Sequence, residues 1–219
     1  MGFKDRIEAG QKLGHALARY ISCADGIILA LPRGGVPVGA EVAKYLSLPL
    51  DVFIVKKLGF LGQEELAMGA VDSAGGVFLN EEISGLVSDA ALQFEIEQER
   101  QKIKERLKLY KRAPLNLHNK VVILVDDGIA TGASMRVAVK SIRRQSPKKI
   151  IVAAPVAPQE AIEVLGGEVD DLVVLETPEY FGGVGRWYEN FQQTEDSEVI
   201  ALLANSVFMN NDTEVRRVS

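Results

Sequence analysis

An α/β domain on a mostly parallel sheet of about five strands, flanked by helices, is predicted by three observations. Short apolar runs alternate with amphipathic segments along the chain, and VVILV at 121–125 is apolar on both strand faces. Several runs also end at glycine-rich turns that open a helix, as in LPRGGVPVG. With 219 residues, 47% of them hydrophobic, the chain suffices for one well-buried domain, read here as spanning 1–219 without internal repeat or interdomain linker.

The elements follow in order. Phe3, Ile7, Leu13, Leu17 and Ile21 recur at roughly helical intervals and predict a helix over 3–22. GIILALPRGG reads as a buried strand ending in a turn, VPVGAEVAKYL as a helix and LPLDVFIVKK as the next strand, which together imply a right-handed parallel crossover. From about 58 to 82, short apolar segments separated by glycines predict an antiparallel excursion with a flexible loop. Residues 85–112 set Ile96, Ile103, Leu107 and Tyr110 on one face of a charged helix. Beyond Pro114 the expectations are a strand at 120–126, a helix at 132–144, a strand at 149–154, a helix at 158–165 and a strand at 170–175. A segment at about 177–193 is a candidate hood, followed by a helix near 196–207 and a polar end.

Composition excludes some classes. A net charge of −5 argues against a general binder of nucleic acid or acidic membranes, whose affinity comes from clustered Lys and Arg. Cys23 is the single cysteine, so no intrachain disulfide can form, which suits a reducing compartment. Neither a signal-peptide core nor a bilayer-length apolar run is present, and a cytoplasmic location is expected.

VVILVDDGIATGAS, residues 121–134, carries the chemistry. Asp126 and Asp127 fall at the carboxyl end of a central strand, the edge at which open α/β sheets bind ligands. The loop that follows (Gly128, Ile129, Ala130, Thr131, Gly132, Ala133, Ser134) turns tightly, offers hydroxyls and brings backbone N–H groups to a helix N-terminus, a setting suited to phosphate. Carboxylates beside a phosphate would repel it, so the acids must face another part of the same ligand. Vicinal sugar hydroxyls fit, because each can donate to a carboxylate. The pattern thus describes a sugar phosphate; an Asp pair that merely caps a turn, or an acidic receiver-type pocket, would not need the TG-Ser loop. In LPRGGVPVG, Arg33 can hold two phosphate oxygens, while Gly34 and Gly35 permit close backbone approach. His15 and His118 stand isolated and read as structural or solvent-facing.

Residues 121–134 resemble the phosphoribosyl-diphosphate signature of the type I phosphoribosyltransferases: four apolar residues, two acids, a short variable step, then TG, a small residue and Ser or Thr. The looser resemblance runs over 27–191, and LPRGGVPVGAEVA looks like an uncharacterised bacterial group sometimes joined to hydrolase domains. The resemblance implies transfer of phosphoribose from phosphoribosyl diphosphate to a nucleobase or similar nitrogen acceptor, with release of pyrophosphate. It makes the turn at Arg33 a pyrophosphate loop, with one of Lys56 and Lys57 reaching the same group and Gln63, Glu64 and Glu65 in a lid. It also implies Mg2+ on the pyrophosphate, touched by Asp126 or Asp127 through water, and a homodimer as a common assembly.

The acceptor is narrowed at one position. Relatives acting on hypoxanthine and guanine usually carry an Asp just before the loop's Thr, where this chain has Ala130. Uracil enzymes usually replace the second acid by Pro, where this chain keeps Asp127. In the hood, Trp187 and Tyr188 could stack on a base and Glu189 or Asn190 read its edge, or the aromatics could simply pack the terminal helix. A noncatalytic phosphoribosyl-diphosphate sensor is the alternative to the enzyme.

Overall fold

The computed structural model describes residues 2–60, 63–206, 208–209 and 215–216, with side chains undescribed at 60, 63–67, 81–82 and beyond 206. Its centre is a five-stranded, all-parallel sheet. In chain order the strands are Gly26–Ala30 (β1), Leu50–Val52 (β2), Val121–Val125, Lys149–Val156 and Asp171–Glu176; the first two lie side by side, and β1 then pairs with Val121–Val125. The two remaining strands continue outward from there.

Alternation on the two innermost strands divides the core. Ile28 and Ala30, with Ile123 and Val125, face a layer formed by Arg6–Ala16 (α1), Gly35–Leu46 (α2) and the carboxyl-terminal helix Asp196–Ala204. Ile27 and Leu29, with Val122 and Leu124, face Ala133–Arg143 and Gln159–Gly166 on the other side. The helix leaving β1 therefore covers one face and the helix leaving the neighbouring strand covers the other. That divergence opens a crevice at the strands' carboxyl ends, where α/β sheets bind ligands.

The first helix is shorter than its periodicity suggests. It runs from Arg6, capped by Asp5, whose side chain accepts from the Glu8 N–H at 2.9 Å, and stops at Ala16. Leu13 and Leu17 are buried, but Ile7 and Ile21 are exposed, and Phe3 lies outside the helix in a parallel bridge with Tyr188. Glycine explains how α1 nests on α2: a Cβ at Gly10 would come within 2.7 Å of the Val38 carbonyl, and one at Gly14 within 2.9 Å of Tyr45. This close crossing places Arg6, at the start of α1, over the crevice.

LPLDVFIVKK, expected as one strand, is divided between two sheets. Leu50–Val52 pairs with β1, whereas Val55–Phe60 (β3) begins an antiparallel sheet with Gln63–Asp72 (β4) and Val77–Leu79 (β5). Hydrogen bonding carries the chain across: Phe53 N–H still donates to Ala30 O, but Ile54 N–H donates to Ser73 Oγ and Ser73 N–H to Ile54 O. Lys56 and Lys57 therefore belong to the excursion rather than to the parallel sheet. Gln63, Glu64 and Glu65, expected in a lid loop, instead open β4 at the tip of the excursion, while residues 61–62 and these three side chains lie outside the described residues. Asp72 anchors the base of the excursion, accepting from the Ala74 and Gly76 N–H groups and from Ser141 on the helix after Val125.

The strands expected near 120, 149 and 170 occur as Val121–Val125 (β6), Lys149–Val156 (β7) and Asp171–Glu176 (β8). After a short helix at Glu81–Ser84 (α3), the charged helix is Asp89–Leu109 (α4), and Ile96, Ile103 and Leu107 on it, with Tyr110 at its end, are buried as their spacing requires. No helix among the described residues is long and apolar enough to cross a membrane.

Candidate functional site

Two turns meet at the carboxyl ends of β1 and β6. The Leu31 N–H donates to Val125 O at 2.9 Å, which keeps the turns together beyond the ladder. The first contains a cis peptide between Pro32 and Arg33 and opens α2; the second opens the helix Ala133–Arg143 (α5). Their interlock fixes the glycines. A Cβ on Gly34 would lie 2.1 Å from Asp127 Oδ2, and one on Gly35 would lie 2.8 Å from Val125 O and 3.0 Å from Asp126 Oδ1. Gly34 and Gly35 thus make room for the acids of the neighbouring turn, a packing demand as direct as approach by a ligand.

Asp126 and Asp127 have different surroundings. The Asp126 carboxylate accepts from the Asp127 N–H at 2.9 Å and borders two cavities, so its rim stays accessible although it is deeply set. Burial raises its pKa well above the ordinary carboxyl range, and the adjacent Asp127 charge adds to the rise. Asp127 meets Arg6, whose Nε and Nη2 lie 2.8 and 2.7 Å from Oδ2. Burial raises Asp127 too, with Arg6 opposing the rise.

Arg6 is itself framed by the tail. Its Nη1 donates to Gln192 O at 2.7 Å, and its guanidinium lies 3.9 Å from the centre of the Phe191 ring. Phe191 stacks on Tyr188, and the Tyr188 hydroxyl donates to the Asp127 carbonyl at 2.6 Å. Burial drives the Tyr188 phenol far above its usual pKa, so it remains a donor.

The two cavities lie on either side of Asp126. One, of about 170 Å3, is lined by Asp126 and residues 128–135. Gly132 precedes α5 with φ of 75°, a left-handed conformation that glycine adopts without penalty, and it offers no capping side chain, although Thr131 Oγ1 accepts from the Ala133 N–H at 3.4 Å. Thr131, Gly132, Ala133 and Ser134 thus surround a space at a helix N-terminus, as a phosphate requires. Ile129 is turned inward and buried, its N–H donating to Val156 O, while Ala130 is exposed at the loop's outer edge. The other cavity, of about 190 Å3, includes Pro32, Lys56, Arg106, Asp126 and Ser134 in its lining. Lys56 reaches it, whereas Lys57, the next residue along the strand, is exposed. Arg33 follows Pro32 but lines neither cavity; its Nη1 lies 3.8 Å from Asp196 Oδ2.

The hood residues are largely spoken for. Trp187 donates its indole N–H to Phe181 O at 3.0 Å, and its carbonyl accepts from the Phe3 N–H at 2.7 Å. The Glu189 N–H donates to Phe3 O while its side chain stays exposed. Residues 187–190 therefore run beside the amino-terminal segment, and Val184 covers Gly128, where a Cβ would approach it within 2.5 Å.

Arg6, Arg106 and Asp196 were not among the residues singled out from sequence. Arg6 is separated from Asp127 by 121 positions, and Arg106 sits in a run of alternating charges that reads as a solvated helix face. No group of three or more His, Cys, Asp or Glu suited to hold a metal occurs among the described residues. A hard cation sharing its shell with a ligand's oxygens is compatible with the donor set, because Asp126 offers a carboxylate edge to both cavities.

The model of the phosphoribosyl transferase domain family matches residues 5–171. A Mycobacterium tuberculosis (strain H37Rv) protein provisionally named a phosphoribosyl transferase is 40% identical over 205 residues, 92% of this chain and 46% of its own length. The chain thus spans about half the length of that curated relative. A Mycoplasma genitalium uracil phosphoribosyltransferase is 43% identical over 53 residues, 24% of this chain and 26% of its own. Among solved structures, the Thermus thermophilus protein TT1426 aligns with a TM-score of 0.82 at 38% identity, covering 93% of this chain and 98% of that one.

Proposed function

Because the chain belongs to the phosphoribosyl transferase family, we propose that it transfers phosphoribose from phosphoribosyl diphosphate to a nitrogen acceptor, releasing pyrophosphate. The observation that carries this reading is the placement of Asp126 between a cavity at the N-terminus of α5 and a second cavity bearing Lys56 and Arg106. A ribose over the acids would send its 5-phosphate into the first and its pyrophosphate into the second.

The chemistry asks little covalent work of the protein. The acceptor nitrogen attacks C1 of the ribose as the bond to the pyrophosphate oxygen breaks, and the acceptor gives up a proton. Asp126 and Asp127 hold the ribose hydroxyls, the turn at 128–134 fixes the 5-phosphate, and Arg33 with Lys56 stabilises the charge that grows on the leaving group. A magnesium ion on the pyrophosphate would supply further charge neutralisation, and Asp126, which borders the second cavity, would hold it through water. Ala130 provides no group for proton transfer, so hypoxanthine and guanine should be poor acceptors.

The test is pyrophosphate release from phosphoribosyl diphosphate in a screen of purine, pyrimidine and other amine acceptors with magnesium saturating. Arg33→Ala should slow single-turnover release by roughly 10- to 1000-fold, and by more than it weakens binding, since the leaving group is most charged in the transition state. Tight binding without release for any acceptor would replace the transferase by a phosphoribosyl-diphosphate sensor.

A further inference from the structure

The cavity assigned to the leaving group has a wall that neither glycine turn supplies. Arg106, in the last turn of the helix Asp89–Leu109 (α4), lines it together with Lys56 and Asp126. Its Nη1 donates to Asp196 Oδ1 at 3.1 Å and to the Tyr110 hydroxyl at 3.0 Å, and that hydroxyl donates to the same Asp196 oxygen at 2.6 Å. Tyr110 is 2% exposed, so this triangle is anchored in the core. The other oxygen of Asp196 is the one that lies 3.8 Å from Arg33, which also approaches the exposed Glu195 at 3.9 Å.

One carboxylate at the start of the helix Asp196–Ala204 therefore ties together two arginines, one from the turn after β1 and one from α4. Arg106 commits one nitrogen to these contacts, and a guanidinium carries five N–H groups in a rigid fork, so the remainder can serve an anion. A strap between α4 and the tail would need only the ion pair; it would not need Arg106 to border the same cavity as Lys56. Resting on the phosphoribosyl-transfer reading, we propose that Arg106 is a second arginine of the pyrophosphate subsite and that Asp196 is the positioning residue that aligns it with Arg33.

Two probes separate this role from a structural one: magnesium pyrophosphate, which requires the subsite, and ribose 5-phosphate, which does not. With Arg106→Ala, the affinity for magnesium pyrophosphate should fall about 10- to 100-fold, the scale of a charge-assisted contact, while that for ribose 5-phosphate changes less than about twofold. Arg106→Lys, which keeps the charge and loses the fork, should show a smaller loss with the same selectivity, and it carries the test if the alanine variant does not fold. Asp196→Asn removes a negative charge near an anion site, so simple electrostatics predicts tighter binding, whereas loss of positioning predicts roughly three- to tenfold weaker binding of magnesium pyrophosphate. Equal losses for both probes, or none for either, would overturn the role of Arg106; tighter binding by the Asp196 variant would overturn that of Asp196. A wild-type chain that binds neither probe would defeat the phosphoribosyl-transfer reading itself, and this inference with it.

Discussion

Two clusters flank the crevice, each joining arginine, carboxylate and tyrosine, and they carry opposite charge balance. Around Asp127, one arginine pairs with it beside a second carboxylate, Asp126, and Tyr188 donates to a backbone carbonyl. Around Asp196, Arg106 and Arg33 share its carboxylate, Arg33 also meets the exposed Glu195, Tyr110 donates to Asp196, and Lys56 lines the same cavity as Arg106, so the cations outnumber the acids. The acid-rich cluster suits ribose hydroxyls, which donate; the cation-rich one suits a departing polyanion, which accepts. In both, the tail after residue 187 supplies a partner for a residue far away in sequence, so the same segment braces both halves of the ligand site.

The sharpest way to break this comparison is to remove the arginine from the acidic side. Arg6→Ala leaves Asp127, with a side chain only 14% exposed, beside Asp126 and without its counter-charge. Loss of one partner of such a pair should cost about 3–5 kcal/mol of stability, read from the urea midpoint. A midpoint within error of wild type would mean that the acids do not depend on Arg6.

A buried pair that lines neither cavity supplies the control. Asp51 lies 3.2 Å from Arg112, and burial raises its pKa from 3.8 to about 6 despite the arginine. The folded chain binds that proton more tightly than the unfolded chain, so this group's contribution is complete below 3.8 and is lost as pH rises through about 6. The loss amounts to about 3 kcal/mol, and Asp51→Asn should lack that part of the slope of stability against pH. If wild type and variant show parallel profiles between pH 4 and 7, burial does not dominate at Asp51, and the same account of Asp126 and Asp127 weakens.

The smallest effect concerns the ligand alone. Asp127→Asn removes one acceptor charge but keeps a neutral oxygen for Arg6, which also holds Gln192 O and the Phe191 face, so it should cost less stability than Arg6→Ala while phosphoribosyl diphosphate binds roughly 1–3 kcal/mol more weakly. Calorimetry giving equal affinities would confine Asp127 to bracing the amino-terminal helix.

Much of this architecture is written locally. VVILV is apolar on both faces because helices cover both sides of β6, and the same run places Asp126 and Asp127 at the sheet's ligand edge. The turn at 128–134 is legible for a similar reason, since a left-handed glycine and a helix start must be encoded at adjacent positions. Periodicity also marks Ile96, Ile103 and Leu107 as one buried face.

Where the sequence misleads, long-range geometry decides. The strand expected over LPLDVFIVKK divides because the chain exchanges one sheet's hydrogen bonds for another's at Ile54, a choice made by Ser73 rather than by the apolar run. Phe3 has helical spacing yet leaves the helix, because the segment 187–190 offers its backbone hydrogen-bond partners on both sides of an isolated bridge to Tyr188. The alternating α/β plan, the two glycine turns and the acids between them are encoded locally, since each depends on neighbours a few residues away. Which cations those turns meet depends instead on how distant elements pack. Arg6 and Arg106 are ordinary charged residues of their helices until the crossing of α1 on α2 and the docking of the tail bring Asp127 and Asp196 within reach, and a contact across 121 or 90 positions leaves no periodic trace in the chain.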